Sequence, residues 1–188
     1  MATETLKGLK IAVLATDGFE QAELTEPRKA LDAAGADTEI VSPKDKIRGW
    51  KAKQWSDEVA VDRSLDGADA ADYDALVLPG GVINADALRV VPKAVAFVKA
   101  FIDARKPIGV ICHGSWILIE AGGVRAHRMT SWPTLKSDLE NAGAKWVDEQ
   151  VVVDGPLVSS RKPDDIPAFN RELINLFSHA KERARPAA

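Results

Sequence analysis

The stretch Val110-Ile111-Cys112-His113-Gly114-Ser115 sets the chain's single cysteine between an apolar run and the start of a helical pattern. A thiol on a sharp strand-to-helix turn has the placement of a nucleophile elbow, and the nearby glycine leaves room for the turn. Partial positive charge at a helix N-terminus favours thiolate over thiol, so Cys112 is expected to be more acidic than a free cysteine, whose pKa is about 8.5. His113 adjoins it, and an imidazole of ordinary pKa, about 6.5, suits general acid and base work. Gly80-Gly81 lets backbone approach a ligand closely, and the amides of Gly81 and His113 are candidates to line an oxyanion hole. Glu20 and Glu23 open the helix that follows the first strand, where carboxylates cap favourably. A carboxyl lying instead beside the thiol in a poorly solvated pocket would have a raised pKa and could donate a hydrogen bond to sulfur. Against these chemical roles stand bland ones: a lone cysteine is often a small buried hydrophobe, and a glycine pair is often only a turn.

One cysteine excludes an intramolecular disulfide and any multi-cysteine zinc or iron–sulfur site. The three histidines are scattered, with His127 in a loop and His179 in the terminal helix, and both are expected at the surface. No metal and no cofactor are therefore expected. With 25 Lys+Arg against 28 Asp+Glu the net charge is −3, which offers no basic excess to a nucleic acid or an anionic membrane. The apolar run from Ile11 to Ala15 is too short for a secretion signal, and no stretch of about 18 apolar residues suggests a membrane span. The expected compartment is the cytoplasm.

The elements that must hold these residues follow from alternation of apolar runs with helical patterns, the mark of a parallel sheet with crossover helices. Strands are predicted over 9–15, 37–41, 73–78, 108–111, 146–153 and 157–160, with a turn at Asp154-Gly155. Helices are predicted over 20–35, interrupted near Pro27, and over 93–104, 115–121, 134–142 and 165–178. Residues 43–65, with Trp50, Trp55, Val59 and Val61, suggest an irregular hairpin outside the main sheet. The fold class is α/β, a three-layer sandwich with a mostly parallel central sheet and helices on both faces. One domain is expected over 7–180, with a charged tail at 181–188. Ligands in such sheets bind beyond the carboxyl ends of the strands, so the motifs at Asp17-Gly18, Gly80-Gly81 and Cys112-His113 should meet on one rim. Trp50, Trp55 and Trp132 could serve either an interface or the core.

The stretch VICHGS, together with DGFEQAEL, ADYDALVLPGGVINADALR, MTSWPTLKSDLENAG and VVVDGPLVSSRKPDDIPAF, resembles the ThiJ/PfpI family across nearly the whole chain. These are glutamine-amidotransferase-like proteins that include intracellular protease I and the protein deglycases. The resemblance implies a flavodoxin-like sandwich, Cys112 as nucleophile, Glu23 as the glutamate contacting its sulfur, and His113 as acid/base partner. It also implies a homo-oligomer, dimer or hexamer, in which an acidic residue of a neighbouring subunit orients the histidine; the matching position is Asp86. Two departures stand out: Ser115 replaces the usual proline, and Asp86 is shorter than the glutamate of some relatives.

The function expected on this basis is a cysteine-dependent, stress-response hydrolase or lyase acting on small reactive carbonyls or glycated protein adducts. An intracellular cysteine peptidase uses the same nucleophile but needs an extended peptide cleft. A non-enzymatic redox sensor or holdase would instead oxidise Cys112 to the sulfinic acid.

Overall fold

The computed structural model describes residues 5–180, so the tail expected at 181–188 lies outside the described residues. Among the described residues a seven-stranded sheet is built from β1 (Lys10–Leu14), β2 (Asp37–Ser42), β3 (Arg63–Ser64), β4 (Ala75–Leu78), β5 (Ile108–Ile111), β6 (Val151–Asp154) and β7 (Leu157–Ser160). Their order in space is β6-β7-β5-β4-β1-β2-β3. All neighbours run parallel except β6 and β7, a hairpin closed through Gly155. Every residue of β4, β5 and β7 is buried, which is why these strands read as unbroken apolar or small-residue runs and not as alternations.

Among the described residues six α-helices accompany the sheet: α1 (Gln21–Ala33), α2 (Val82–Arg89), α3 (Pro92–Asp103), α4 (Ser115–Glu120), α5 (Lys136–Asn141) and α6 (Ile166–Ser178). Successive side chains of a strand point to opposite faces, and β1 shows the consequence. Ile11 and Val13 join Leu24 and Leu31 of α1 and Phe169, Leu173 and Phe177 of α6 in one apolar layer. Ala12 and Leu14 join Phe97 and Phe101 of α3 and Ile117 and Leu118 of α4 in the other. The expected sandwich, with a mostly parallel sheet and helices on both faces, is the fold observed.

Several local expectations need correction. Helix α1 runs unbroken through Pro27. The missing amide costs one helical bond at the Glu23 carbonyl, and burial of Leu24, Pro27 and Leu31 on one stripe outweighs it. The strand expected over 146–153 is two pieces: Lys145–Trp146 pairs in parallel with Arg128–Met129, and β6 begins only at Val151. Helix α2 was not foreseen, because Gly80, Gly81 and Asn84 obscure its pattern. The hairpin outside the main sheet does form, as Lys46–Lys51 pairs with Gln54–Ala60 and, on its other side, with Phe19–Glu20, but the end of the expected stretch, Arg63–Ser64, joins the main sheet as its edge strand β3.

Because the strands are parallel, the loops leaving β1, β4, β5 and β7 emerge on one edge of the sheet.

Candidate active site

Cys112 follows the last residue of β5 and takes φ +60°, a left-handed conformation seldom adopted by residues with a Cβ. One 3₁₀ turn, Cys112–Gly114, separates the strand from α4. Strain confined to a single residue at such a turn aims its side chain out of the strand's path. Here the aim is toward His113, whose Nδ1 lies 3.2 Å from Cys112 Sγ. Both residues are buried.

Glu23, in the first turn of α1, is fully buried beside this thiol. Its two oxygens lie inside without a full hydrogen bond. Burial therefore dominates and pushes its carboxyl up to about 8, while the Cys112 thiol and the Gly80 amide draw it down in part. At neutral pH Glu23 mostly holds its proton. Burial, then the Glu23 carboxylate, push the Cys112 thiol well above its ordinary value, against the pull of the His113 and Gly81 amides. The acidity expected from a helix N-terminus is not what the structure shows. Helix α4 is only six residues long and begins a full turn beyond the sulfur, so its dipole reaches Cys112 weakly. Burial lowers the His113 pKa, leaving a neutral imidazole able to accept a proton.

Close approach at this point depends on glycine. A Cβ on Gly80 would stand 2.2 Å from Glu23 Oε2 and 2.6 Å from Cys112 Cβ. Gly81 takes φ +91°, and a Cβ there would meet the Gly18 carbonyl oxygen at 2.2 Å and the Glu20 nitrogen at 2.6 Å. The two loops are locked together by Asn84, which is fully buried. Its Oδ1 accepts from Thr16 N–H (2.7 Å), and its Nδ2 donates to the carbonyls of Pro79 (3.1 Å) and Gly80 (3.0 Å).

His113 is held between two indoles. Trp116 meets the ring edge-on at 5.1 Å and Trp132 stacks at 6.1 Å. Trp116 Nε1 donates to Asp138 Oδ2 (2.9 Å), and the Arg89 guanidinium covers the same indole at 5.1 Å.

The three expected motifs do meet on one rim. Gly18, Gly81, Cys112 and His113 line a single cleft of about 390 Å³, with Glu20 and Trp132 on its walls. Glu20, partly buried at the mouth, has its carboxyl raised by burial against the pull of Lys51. Asp86 lies apart from this group within the chain: its side chain is exposed on α2 and pairs with Arg89 at 3.4 Å. His127 is not a plain surface residue, since its Nδ1 pairs with Asp154 Oδ2 at 3.1 Å, whereas His179 is exposed as expected. Trp50 and Trp132 belong to the cleft, and Trp55, at 44% exposure, packs edge-on against Trp50. Asn84, Trp116 and Trp132 carried no chemical signal in the sequence. A polar side chain four residues beyond Gly80, with two tryptophans after the histidine motif, is the trace they leave there.

Among the described residues no group of three or more His, Cys, Asp or Glu side chains is arranged to hold a metal ion. No helix among them is long and apolar enough to cross a membrane.

A strained cysteine with an adjacent histidine and a buried glutamate, set at the carboxyl edge of a parallel sheet, is accompanied by similarity in sequence: the chain belongs to the DJ-1/PfpI family, whose model matches residues 9–176. It is 46% identical over 171 residues to general stress protein 18 of Bacillus subtilis, covering 90% of this chain and 98% of that protein. It is 42% identical over 169 residues to protein/nucleic acid deglycase 2 of Escherichia coli, covering 89% and 97%. Among solved structures it is similar, with a TM-score of 0.83 and 32% identity, to a two-domain protein from Anabaena variabilis with DJ-1/ThiJ/PfpI-like and ferritin-like domains. The match covers 88% of this chain and 49% of that longer one.

Proposed function

We propose that the chain is a cofactor-free enzyme that converts small 2-oxoaldehydes, free or as adducts on amines, to 2-hydroxy acids through Cys112. The observation that carries this reading is the 3.2 Å approach of His113 Nδ1 to Cys112 Sγ beside a buried, protonated glutamate. A relative named as a deglycase at 42% identity supports it.

The chemistry follows from the protonation states. The thiol is not acidic at rest, so it needs a base, and neutral His113 accepts its proton as sulfur bonds to the aldehyde carbon. The Gly81 and His113 amides steady the developing oxyanion, which takes the proton back from His113 to give a hemithioacetal. His113 then removes the hydrogen on the former aldehyde carbon and returns a proton to the neighbouring carbonyl carbon, while the hemithioacetal hydroxyl proton passes to the neighbouring carbonyl oxygen. The aldehyde carbon is thereby oxidised to a thioester and the ketone carbon reduced to an alcohol, with no external oxidant. Water, deprotonated by His113, attacks the thioester; the carbon–sulfur bond breaks and Cys112 regains its proton. Substrate plus water equals hydroxy acid. Glu23, which mostly holds its proton at neutral pH, is placed to donate to sulfur while the sulfur carries negative charge.

The resemblance adds a further part to this proposal. In a homo-oligomer the partner subunit's Asp86 would orient His113 from outside the chain. Incubation with methylglyoxal should yield lactate, and Cys112→Ala should abolish it. A rate unchanged in that variant would remove Cys112 from the reaction.

A further inference from the structure

A second cavity, of about 350 Å³, opens at the end of β5 opposite to Cys112. The strand enters the sheet at Ile108, which lines this cavity, and leaves it at Ile111, so the cavity lies on the amino edge. A partner that brings its Asp86 to His113 seats at the carboxyl edge, away from this space. The floor is apolar: Ile102 of α3, Ile108 of β5, Leu118 of α4 and Leu157 of β7 meet there. The polar side chains that join them are Arg105, Lys106 and His127, and among the described residues no carboxylate lines the cavity. Lys106 Nζ donates to the carbonyls of Ala70 (2.8 Å) and Tyr73 (2.7 Å), so dipoles and not a carboxylate meet its charge. His127 spends its Nδ1 on Asp154. The Arg105 side chain has no ion pair or hydrogen bond among the described residues.

The backbone holds Arg105 there against its preference. Helix α3 ends in a Schellman turn, in which Lys106 N–H donates to the Phe101 carbonyl (2.9 Å) and Arg105 N–H to that of Ile102 (3.0 Å). Arg105 fills the left-handed position of this turn at φ +53°, where glycine is the favoured residue. An unpaired guanidinium beside an apolar floor is complementary to an anion with an apolar body.

We propose that this cavity is a binding site for a small monocarboxylate with a ring-sized apolar body, the body on the Ile102, Ile108, Leu118 and Leu157 floor and the carboxylate on Arg105. A guanidinium meets a carboxylate through two parallel N–H donors, which fixes orientation as well as charge. Benzoate, with nine heavy atoms, takes about 270 Å³ at the roughly 30 Å³ share of one water in the liquid, and the cavity has room for it. The two cavities share no lining residue, so this site stands whether or not Cys112 acts on carbonyls.

Backbone amide chemical-shift titration of the full chain tests this. Benzoate should shift the amides of Lys106, Gly123 and Leu157, and should bind at least about tenfold tighter than benzyl alcohol, which keeps the ring and lacks the charge. Acetate and inorganic phosphate, which keep a charge and lack the ring, should bind at least about tenfold more weakly than benzoate. Arg105→Gly suits the φ +53° turn, so that variant should fold with a thermal midpoint at or above the wild type while binding benzoate only as weakly as benzyl alcohol. Gly123→Ala tests the floor: its Cβ would stand 2.6 Å from Ile102 Cδ1 and 2.7 Å from Leu118 Cδ1, and the displaced side chains should cut benzoate affinity severalfold. Benzoate binding no tighter than benzyl alcohol, or unchanged in Arg105→Gly or in Gly123→Ala, overturns the proposal. Phosphate binding tighter than benzoate, or benzoate shifts confined to the residues around Cys112, overturns it as well.

Discussion

His113 Nδ1 stands 3.2 Å from Cys112 Sγ, although the two residues are neighbours in the chain. Adjacent side chains on an ordinary strand point to opposite faces. They converge here because Cys112 sits at φ +60° and because two indoles fix the imidazole plane. The pair is therefore a product of backbone strain and of tertiary walls together, and each component makes a testable claim.

The thiol is pushed up by burial first and by the Glu23 carboxylate second. The thiol titrates above about pH 8, where Glu23 has ionised, so Glu23→Gln removes the second push and should lower the apparent pKa of Cys112. Iodoacetamide alkylation followed against pH measures this directly. A midpoint that stays in place or rises would show that Glu23 does not act on the sulfur through its charge.

Glu23 also links stability to pH. Its carboxyl is raised from an ordinary 4.5 to about 8, so the folded state holds a proton that the unfolded chain releases. The contribution is complete below pH 4.5 and is lost as pH rises toward 8. At about 1.4 kcal/mol per pKa unit the change amounts to a few kcal/mol. Urea unfolding at pH 5 and pH 8 should therefore show Glu23→Gln gaining on the wild type at the higher pH; parallel curves at both pH values would contradict it. Taking the difference between the two proteins removes the opposite trend from His113, which is buried neutral and must charge as pH falls.

Asn84 holds the loops after β1 and β4 with three buried hydrogen bonds. Asn84→Ala leaves the Thr16 amide and the Pro79 carbonyl without that partner, at about 1 to 3 kcal/mol for each group left unpaired in the interior, while the Gly80 carbonyl still accepts from the Glu20 amide at 3.3 Å. A loss of about 2 to 6 kcal/mol in denaturant unfolding is expected, together with slower Cys112 alkylation as Gly81 drifts. Wild-type stability in that variant would show that water takes over the bonds.

The partner subunit's Asp86 is proposed to orient His113, while among the described residues Asp86 pairs with Arg89 on its own helix. If the proposal holds, sedimentation finds an oligomer, and Asp86→Asn lowers turnover and shifts its pH profile without changing the thermal midpoint. A monomer with full activity would leave Asp86 as a surface helix residue.

What the sequence made legible divides by physical cause. Buried parallel strands announce themselves as apolar runs, so β4 and β5 were readable nearly to the residue, and the carboxyl edge then followed from topology. Helix α2 was hidden because the Gly80-Gly81 approach and buried Asn84 suit the site and not a helical pattern. Pro27 misled for the opposite reason, since tertiary burial overrides a local penalty. At the site, Cys112 and His113 were visible from their turn. The choice of Glu23 over Glu20 came from family resemblance, because both look like helix caps in sequence. Only packing distinguishes them: Glu23 is fully buried behind Gly80, and Glu20 remains at the mouth. The tryptophans around His113 could not be read at all, since Trp132 reaches it from beyond α4 and Trp116 is fixed by Asp138 across more than twenty residues.

In the proposed reaction, carbonyl chemistry passes through a bond to Cys112 sulfur. Rapid acid quenching after mixing with methylglyoxal, followed by intact mass and peptide mapping, reads that bond directly. One transient adduct is expected on the peptide carrying Cys112, decaying as lactate appears and absent in Cys112→Ala. Lactate formed with no adduct at any time point, or an adduct that never decays, would contradict it.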